Sequence, residues 1–286
     1  MWRWVTNDGV AAEVFGRRTR VQVNELGSYE ENVPALASAE SLSDISAHRW
    51  PDPDWWDLKP IRSVIREMNR DQRRHVRFRM GSVFEVAWQL RGMETFLPEM
   101  AADPAIPTYM MDRITDILAE VTRRVLDEAG DDIDMVYFYD DVGSNQSLLI
   151  SKKMWRTFIR PCHEKLIEVA RKRGKQVMYH TDGAVRPLIP DLIEMGVDVL
   201  NPIQPGTAGM EPAALKRDFG AQISFHGGVD IIGLLPKGSP EDVRKAARQL
   251  RTDLGQGGGY IMAGSHHIQF DTPLDNVLAL YDLSNR

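Results

Sequence analysis

The sequence predicts an α/β protein built as a TIM-like (β/α)8 barrel with a cap in front of it. From residue 57 onward, short apolar runs of strand length alternate with amphipathic segments of helix length, which is typical of a parallel sheet. The connections are short, and polar residues follow run after run. In a parallel barrel such positions meet at one face, where barrel enzymes place their chemistry. We therefore assign residues 1–56 to an N-terminal arm or cap and residues 57–286 to the barrel.

The cap differs from the rest of the chain in its sequence pattern. It holds short β-like pieces, such as residues 20–23, and a segment rich in tryptophan and proline over residues 50–56. We expect these tryptophans to pack the cap against the rest of the protein, since large aromatic side chains dominate packing energies. A stacking site for a ligand is the alternative.

The barrel elements follow one another in chain order. They are a helix over 58–72, a strand over 76–81, helices over 83–100 and 108–129, a strand over 133–139, a helix over 152–173, a strand over 176–179, a short helix from Pro187 to Gly196, a strand over 197–204, a helix over 212–219, a strand over 222–228, a helix from Ser239, a strand over 259–263 and a helix from Thr272. Ser239 and Thr272 each precede a proline and stand three residues before an acid, which predicts capped helix starts. Six strands fall short of eight, so either the cap contributes strands or the barrel lacks its first strand.

Composition narrows the class of protein and its partners. The chain has 286 residues, 43% of them apolar, and a net charge of −6, which is ordinary for a globular protein. Basic residues do not cluster with aromatics, so nucleic acid is not an expected partner. No apolar run reaches the ~20 residues of a membrane span, and the start has no apolar signal region. The sole cysteine, Cys162, excludes an internal disulfide and is expected to be a buried spectator, consistent with the cytoplasm.

Two short motifs predict a metal site. His180-Thr181-Asp182-Gly183 follows one apolar strand, and His266-His267 follows another. His180 and Asp182 are two residues apart, so in an extended chain both side chains face one side. His266 or His267 can supply a third ligand from a different strand. Imidazole and carboxylate suit Zn, Fe or Mn. Taken singly, each residue is more typical of a helix cap or a loop hydrogen bond, and their repetition at successive strand ends favours a site.

The same ligand set also describes the triad of non-haem iron oxygenases. Those enzymes are all-β proteins, whereas this chain alternates strand and helix. They also use an arginine shortly after the second histidine, and here the next arginine after His266 is Arg286. Both features favour a barrel metal site over an oxygenase.

At these residues the chain resembles the uroporphyrinogen decarboxylase-like superfamily. The resemblance covers roughly residues 40–286 and implies a TIM-like barrel. It is carried by Asp140-Asp141-Val142-Gly143, His180-Thr181-Asp182-Gly183, Asn201-Pro202-Ile203-Gln204-Pro205, Phe225-His226-Gly227-Gly228-Val229-Asp230 and the segment from Gly257 to Pro273. The superfamily includes true decarboxylases and corrinoid-dependent methyltransferases acting on methyl ethers, methylamines or coenzyme M.

The chain departs from both branches at informative positions. Zinc-dependent methyltransferases of the superfamily carry His-x-Cys-Gly and a later Cys. Here His180 matches, Asp182 replaces the first Cys and His266 falls about where the later Cys would be. One anionic ligand in place of two leaves a zinc ion more positive, which favours polarising an ether oxygen. True decarboxylases resemble the chain at Ser265-His266-His267-Ile268, but their Arg-rich motif and Phe-Ser-Asp-Ile segment are not visible.

The resemblance implies metal-assisted methyl transfer between a small methylated substrate, of O-methyl, N-methyl or thiol class, and a corrinoid. The cofactors would be Zn²⁺ on His180, Asp182 and His266, and cobalamin carried by a partner protein. We expect Asp141 and His226 to be catalytic. Residues expected to bind substrate are Asp140, Gln146, Gln204, Asp230 and His267.

Two alternatives remain open from the sequence. One is metal-free decarboxylation of a porphyrinogen, with Asp141 stabilising a cationic intermediate. The other is a ligand-binding barrel without catalysis. A homodimer is a further expected assembly.

Overall fold

The computed structural model describes residues 3–5, 11–24 and 27–282, so part of the predicted cap lies outside the described residues. The chain divides into two compact units, residues 1–134 with 153–175 and residues 135–152 with 176–286. The boundary at residue 56 stays a prediction. Among the described helices, none is both long and apolar enough to cross a membrane.

The cap forms an antiparallel sheet of its own in the first unit. Its four strands, in sheet order, are β1 Arg3–Val5, β2 Ala11–Glu13, β3 Arg18–Asn24 and β4 Gly27–Val33. The β-like piece expected at residues 20–23 lies within β3. Within the described residues, the cap therefore adds no strand to the parallel sheet.

The remaining elements alternate as the sequence predicts. In chain order the helices are α1 Leu42–Ser46, α2 Ile61–Met68, α3 Phe84–Arg91, α4 Met93–Ala102, α5 Ala105–Ala129, α6 Lys152–Met154, α7 Arg160–Arg171, α8 Ile189–Met195, α9 Pro212–Phe219, α10 Leu234–Lys237, α11 Pro240–Leu254 and α12 Leu274–Leu280. The strands are β5 Arg77–Gly81, β6 Met135–Tyr139, β7 Gln176–His180, β8 Val199–Ile203, β9 Ser224–Val229 and β10 Tyr260–Gly264. Short 3-10 turns span Pro53–Trp55, Gly130–Asp132 and Arg186–Leu188, and one π-helical turn spans Trp155–Ile159.

Packing in the first unit centres on α5, whose buried side chains recur along its length. Trp50 is buried, and its ring lies edge-on to Tyr109 of α5, with the centroids 6.5 Å apart. The Trp50 indole N–H donates to the carbonyl of Ile45. Trp50 therefore packs the cap as expected. Cys162, on α7, is buried, also as expected.

Two predicted elements need correction. The single helix expected over 83–100 is interrupted at Gly92, whose φ of 91° cannot continue a helix, so α3 and α4 result. The N-cap expected at Thr272 is also wrong. Pro273 has an extended ψ of 136°, so α12 begins only at Leu274. The Thr272 hydroxyl has no hydrogen-bond partner among the described residues. Ser239, by contrast, forms the predicted capping box with Asp242.

The second unit is built on parallel strands in the order β6-β7-β8-β9-β10. Their register explains where polar groups gather. Met178 pairs with Val199, and two residues further along the same strands His180 pairs with Asn201. Met178 and Val199 form a small buried cluster with Met135. Residues two apart on a strand point to the same face of the sheet. The apolar cluster therefore lies directly before a layer of polar side chains at the carboxyl ends of the strands.

Candidate metal centre

Three side chains of the second unit converge at the carboxyl ends of the strands. His180 ends β7, Asp182 follows two residues later, and His266 comes after β10. Each offers a ligand atom, and these atoms lie within 4.8 Å of one another. The Nε2 atoms of His180 and His266 are each 3.9 Å from a carboxylate oxygen of Asp182. Ligands about 2.1 Å from a tetrahedral ion are roughly 3.4 Å apart, so small side-chain adjustments would let them share one ion.

The electrostatics of Asp182 fit a bound cation. Its Oδ1 atom is buried and has no hydrogen-bond partner within the described part of the chain. Burial raises the pKa of the Asp182 carboxyl, and the charge of the neighbouring Asp141 carboxylate raises it further. The His180 and His266 imidazoles lower that pKa in part. A divalent cation would supply the missing positive partner, and a donor set of two imidazoles and one carboxylate suits Zn, Fe or Mn.

Asn201 orients two histidines at once. The Nδ1 atom of His180 is 2.6 Å from Oδ1 of Asn201, and Nδ2 of Asn201 is 2.7 Å from Nδ1 of His226. Because an amide oxygen only accepts, His180 carries its proton on Nδ1 and keeps the Nε2 lone pair for a ligand. The amide nitrogen donates to His226, which leaves the His226 proton on Nε2. This outer contact is typical of metal-binding histidines.

Close backbone contact fixes the turn that carries Asp182. Gly183 has a φ of 93°, and a Cβ at this position would lie 2.5 Å from the carbonyl carbon of Gly143. The backbone N–H of Asp182 donates to Oδ1 of Asp141 at 2.8 Å. Only glycine fits at residue 183, because of both the positive φ and the contact. The loops after β6 and β7 are therefore held together.

Gln204 braces the same turn. Its Oε1 atom accepts from the backbone N–H of Gly183 at 3.0 Å, and its Nε2 atom donates to Oδ1 of Asn145 at 3.1 Å. Both polar ends of the side chain are thus used within the protein. These two hydrogen bonds position the turn. A substrate-binding role for Gln204 stays a prediction.

The other predicted site residues are spread around this centre. The Asp141 carboxylate lies 3.8 Å from Nε2 of His180, and its side chain is 41% exposed. The His267 ring stands edge-on to His266, with centroids 4.6 Å apart. Asp140 is fully buried. Gln146 and Asp230 line a cavity whose lining includes none of the three metal ligands.

Sequence reasoning missed two neighbours of His180. These neighbours are Asn201, which bonds to Nδ1 of His180, and Tyr137, whose ring lies edge-on to His180 with the centroids 6.2 Å apart. A signal for Asn201 was available, since it is a polar residue inside an otherwise apolar predicted strand, directly before Pro202. Its pairing with His180 follows from strand register, which the sequence does not give.

Comparison with known proteins places the chain in a family. Residues 25–286 match the family model described as Uroporphyrinogen decarboxylase (URO-D). A methylated-thiol–coenzyme M methyltransferase of Methanosarcina mazei is 25% identical over 197 residues, which are 68% of this chain and 49% of that protein. The chain thus spans about half the length of this curated relative.

A solved structure agrees on the fold. A methyltransferase from Methanosarcina mazei superposes with a TM-score of 0.66 at 19% identity, covering 94% of this chain and 75% of that one. This likeness confirms the predicted α/β class of TIM-like barrels. Because the family model spans most of the sequence, the chain belongs to the uroporphyrinogen decarboxylase (URO-D) family.

Proposed function

We propose that this chain is a metal-assisted methyltransferase that moves a methyl group between a small methylated substrate and a corrinoid on a partner protein. The observation that carries the proposal is the cluster of His180, Asp182 and His266, with a buried Asp182 oxygen that lacks a hydrogen-bond partner among the described residues. The names of the two relatives support methyl transfer as the reaction.

His180, Asp182 and His266 would hold the ion, which we infer to be zinc. When bound, it would act as a Lewis acid towards the methyl-bearing heteroatom of the substrate. The ligand set carries one negative charge, from Asp182. A centre that keeps most of its positive charge would polarise an ether oxygen strongly and make it a better leaving group. The same centre would hold a thiolate tightly and lower its nucleophilicity, so this ligand set favours an ether substrate over a thiol nucleophile.

The chain's own residues would manage charge around the reacting heteroatom. This atom gains negative charge as the carbon–heteroatom electron pair stays behind with it. His226 carries its proton on Nε2, because Nδ1 accepts from Asn201, and can donate a hydrogen bond to such a group. The partly exposed Asp141 carboxylate can accept a hydrogen bond from the substrate and orient it.

Metal content tests this proposal most simply. Protein purified without chelators should contain about one zinc per chain, and His180→Ala should lose it. His75→Ala is the matched control, since His75 is an exposed histidine of the first unit and is not one of the three proposed ligands. It should retain the metal.

Three other results would contradict the proposal. Zinc retained in His180→Ala would place the metal elsewhere. No metal, together with carbon dioxide release from a porphyrinogen, would establish the decarboxylase reaction instead. No metal and no turnover of either substrate class would leave a ligand-binding barrel.

A further inference from the structure

Strand β10 lies at one end of the parallel sheet, and its outer edge is unpaired among the described strands. On the inner side, the carbonyl of Gly259 and the N–H of Ser265 bond to β9. The backbone groups of successive residues in a strand point to alternate sides, so Tyr260, Met262 and Gly264 direct theirs outward. Within the described chain, these outward N–H and C=O groups have no hydrogen-bond partner.

Strand β10 is also less buried than its neighbours. All five residues of β8 are buried, whereas β10 has no buried residue and Ile261 is 44% exposed. The sequence from Tyr260 to Gly264 is uncharged and mostly apolar. Parallel strands are ordinarily covered on both faces, and edges that stay exposed carry charges, prolines or bulges that prevent pairing. Since β10 has no charge and no proline, its edge is suited to accept another strand.

An apolar stripe on α12 lies beside this edge. Leu274, Leu278 and Tyr281 are spaced four and three residues apart, so they share one face of the helix and its end, and each is at least 50% exposed. A cavity of about 760 Å³ is lined both by Met262 of β10 and by Tyr281. The free edge and the stripe therefore meet at one groove. Contiguous exposed apolar surface is typical of an interaction site.

The edge of β10 is complementary to a second copy of itself. In antiparallel pairing about a two-fold axis at Met262, this residue faces its counterpart, and Tyr260 faces Gly264 of the other copy. Every outward N–H and C=O group of the three residues would then be paired. A tyrosine opposite a glycine is a favourable cross-strand pair, because the ring covers the glycine backbone. An antiparallel edge strand on a parallel sheet is a common arrangement.

The charges around the groove also favour a second copy over a strongly charged partner. The chain has a net charge of −6, but neither the strand nor the stripe contains a charged side chain, so two copies can bring this patch together. The groove is lined by both signs of charge, from Arg248 and Arg251 and from Asp282. A two-fold contact can place the arginines of one copy near Asp282 of the other, which is a complementary arrangement.

We propose that β10 pairs antiparallel with β10 of a second copy of this chain, about a two-fold axis at Met262, and that the α12 stripes are buried in the same contact. The result is a homodimer. Such a contact uses the same patch on both copies and closes on itself, so it stops at two chains. The proposal does not depend on metal binding or on methyl transfer.

Sedimentation velocity of the wild-type protein at micromolar concentration should give twice the mass of one chain. Met262→Pro removes the central outward N–H, leaves the bonds to β9 in place, and should weaken dimerisation at least roughly tenfold. Met262→Leu keeps the N–H and should stay dimeric. Leu278→Glu brings a charge into the stripe and should weaken the dimer by a similar factor. Met68→Glu changes a similarly exposed side chain of α2, in the first unit, and should stay dimeric.

Cysteine cross-linking locates the axis. Directly opposed, hydrogen-bonded residues of an antiparallel pair have Cα atoms about 5.5 Å apart, within the disulfide range of about 4.4–6.8 Å. In a Cys162→Ser background, Met262→Cys should therefore form an intermolecular disulfide under mild oxidation, whereas Met68→Cys should not. Far-ultraviolet circular dichroism confirms that each variant is folded.

Three outcomes would overturn the proposal. Folded wild-type protein that stays monomeric at about 0.1 mM would show that the edge does not accept a second copy. A dimer that is unaffected by both Met262→Pro and Leu278→Glu would place the interface on another surface. Equal cross-linking of Met262→Cys and Met68→Cys would remove the two-fold axis at Met262.

Discussion

A single amide, Asn201, makes hydrogen bonds to two histidines in this protein and fits one tautomer of each. Asn201 accepts from Nδ1 of His180 and donates to Nδ1 of His226. As a result, Nε2 of His180 keeps a lone pair that can bind a metal, and Nε2 of His226 carries a proton that can be donated. Contacts of this kind raise ligand basicity and fix ring orientation. The metal centre therefore depends on a residue that does not touch the metal position.

We expect Asn201→Leu to weaken zinc binding by about 10- to 100-fold, because His180 loses the acceptor that fixes its tautomer. Competition with a chromophoric chelator measures the affinity. Asn69→Leu serves as control, because Asn69 is a half-buried asparagine whose side chain accepts from the backbone N–H of Arg74 rather than contacting a histidine of the cluster. Unchanged zinc affinity in Asn201→Leu would contradict the role.

The same residue gives a spectroscopic prediction. In metal-free wild-type protein, long-range ¹H–¹⁵N spectra should show His180 protonated on Nδ1 and His226 on Nε2. Asn201→Asp replaces the donor towards His226 with an acceptor, so His226 should shift to a form protonated on Nδ1. The wild-type pattern persisting in Asn201→Asp would show that Asn201 does not determine the tautomer.

At the level of elements, the turn after β7 is as important as the ligands themselves. Gly183→Ala should displace Asp182, because the new Cβ would meet Gly143 and the backbone φ of 93° is unfavourable for alanine. We expect loss of zinc and a clear fall in thermal stability.

Gly174→Ala is the matched control for that substitution. Gly174 has a similar positive φ of 66°, but a Cβ there would meet nothing within 4 Å. It should cost about 1 kcal/mol of stability from backbone strain and leave zinc content unchanged. Equal zinc loss in both variants would show that the close contact at Gly183 is not what matters.

Helix caps provide a stability test of the same kind. Ser239→Ala should lower the free energy of unfolding by about 1 kcal/mol, because the Ser239 hydroxyl accepts from the backbone N–H of Asp242. Thr272→Val should cost much less, since the described structure gives the Thr272 hydroxyl no hydrogen-bond partner. Urea unfolding of the two variants compares them directly, and equal losses would contradict the cap assignment.

Local sequence signals predicted the elements well and the contacts less well. Helix α9 was predicted at its observed residues, and the Ser239 cap was correct, because both depend on neighbouring side chains. The break at Gly92 was missed, since a positive φ is set by the tertiary path. Asn201 was missed for a related reason, as its partners are 21 and 25 residues away.

Gln146 and Asp230 show how far the sequence locates a site residue. The sequence predicted both as substrate-binding residues, and that role stays a prediction. In the structure both line a cavity beside α11, and neither is among the three residues of the metal cluster. Loop paths beyond the strand ends decide such placements, and no local pattern encodes them.

At the scale of the whole molecule, metal binding should be linked to stability. The site draws its ligands from two distant parts of the second unit, after β7 and after β10, and these come together only when that unit is folded. A ligand that binds only the folded state at 100 times its Kd stabilises it by about 2.7 kcal/mol. Zinc should therefore raise the melting temperature of metal-free wild-type protein, and have no effect on His180→Ala. An equal rise in both would point to zinc binding elsewhere.

X-ray absorption spectroscopy of zinc-loaded protein tests the central claim most directly. We predict a first shell of nitrogen and oxygen only, at about 2.0–2.2 Å, with outer-shell scattering from two imidazoles and the loss of one of them in His266→Ala. A sulfur scatterer at about 2.3 Å, or two-imidazole scattering that persists in His266→Ala, would contradict a centre formed by His180, Asp182 and His266.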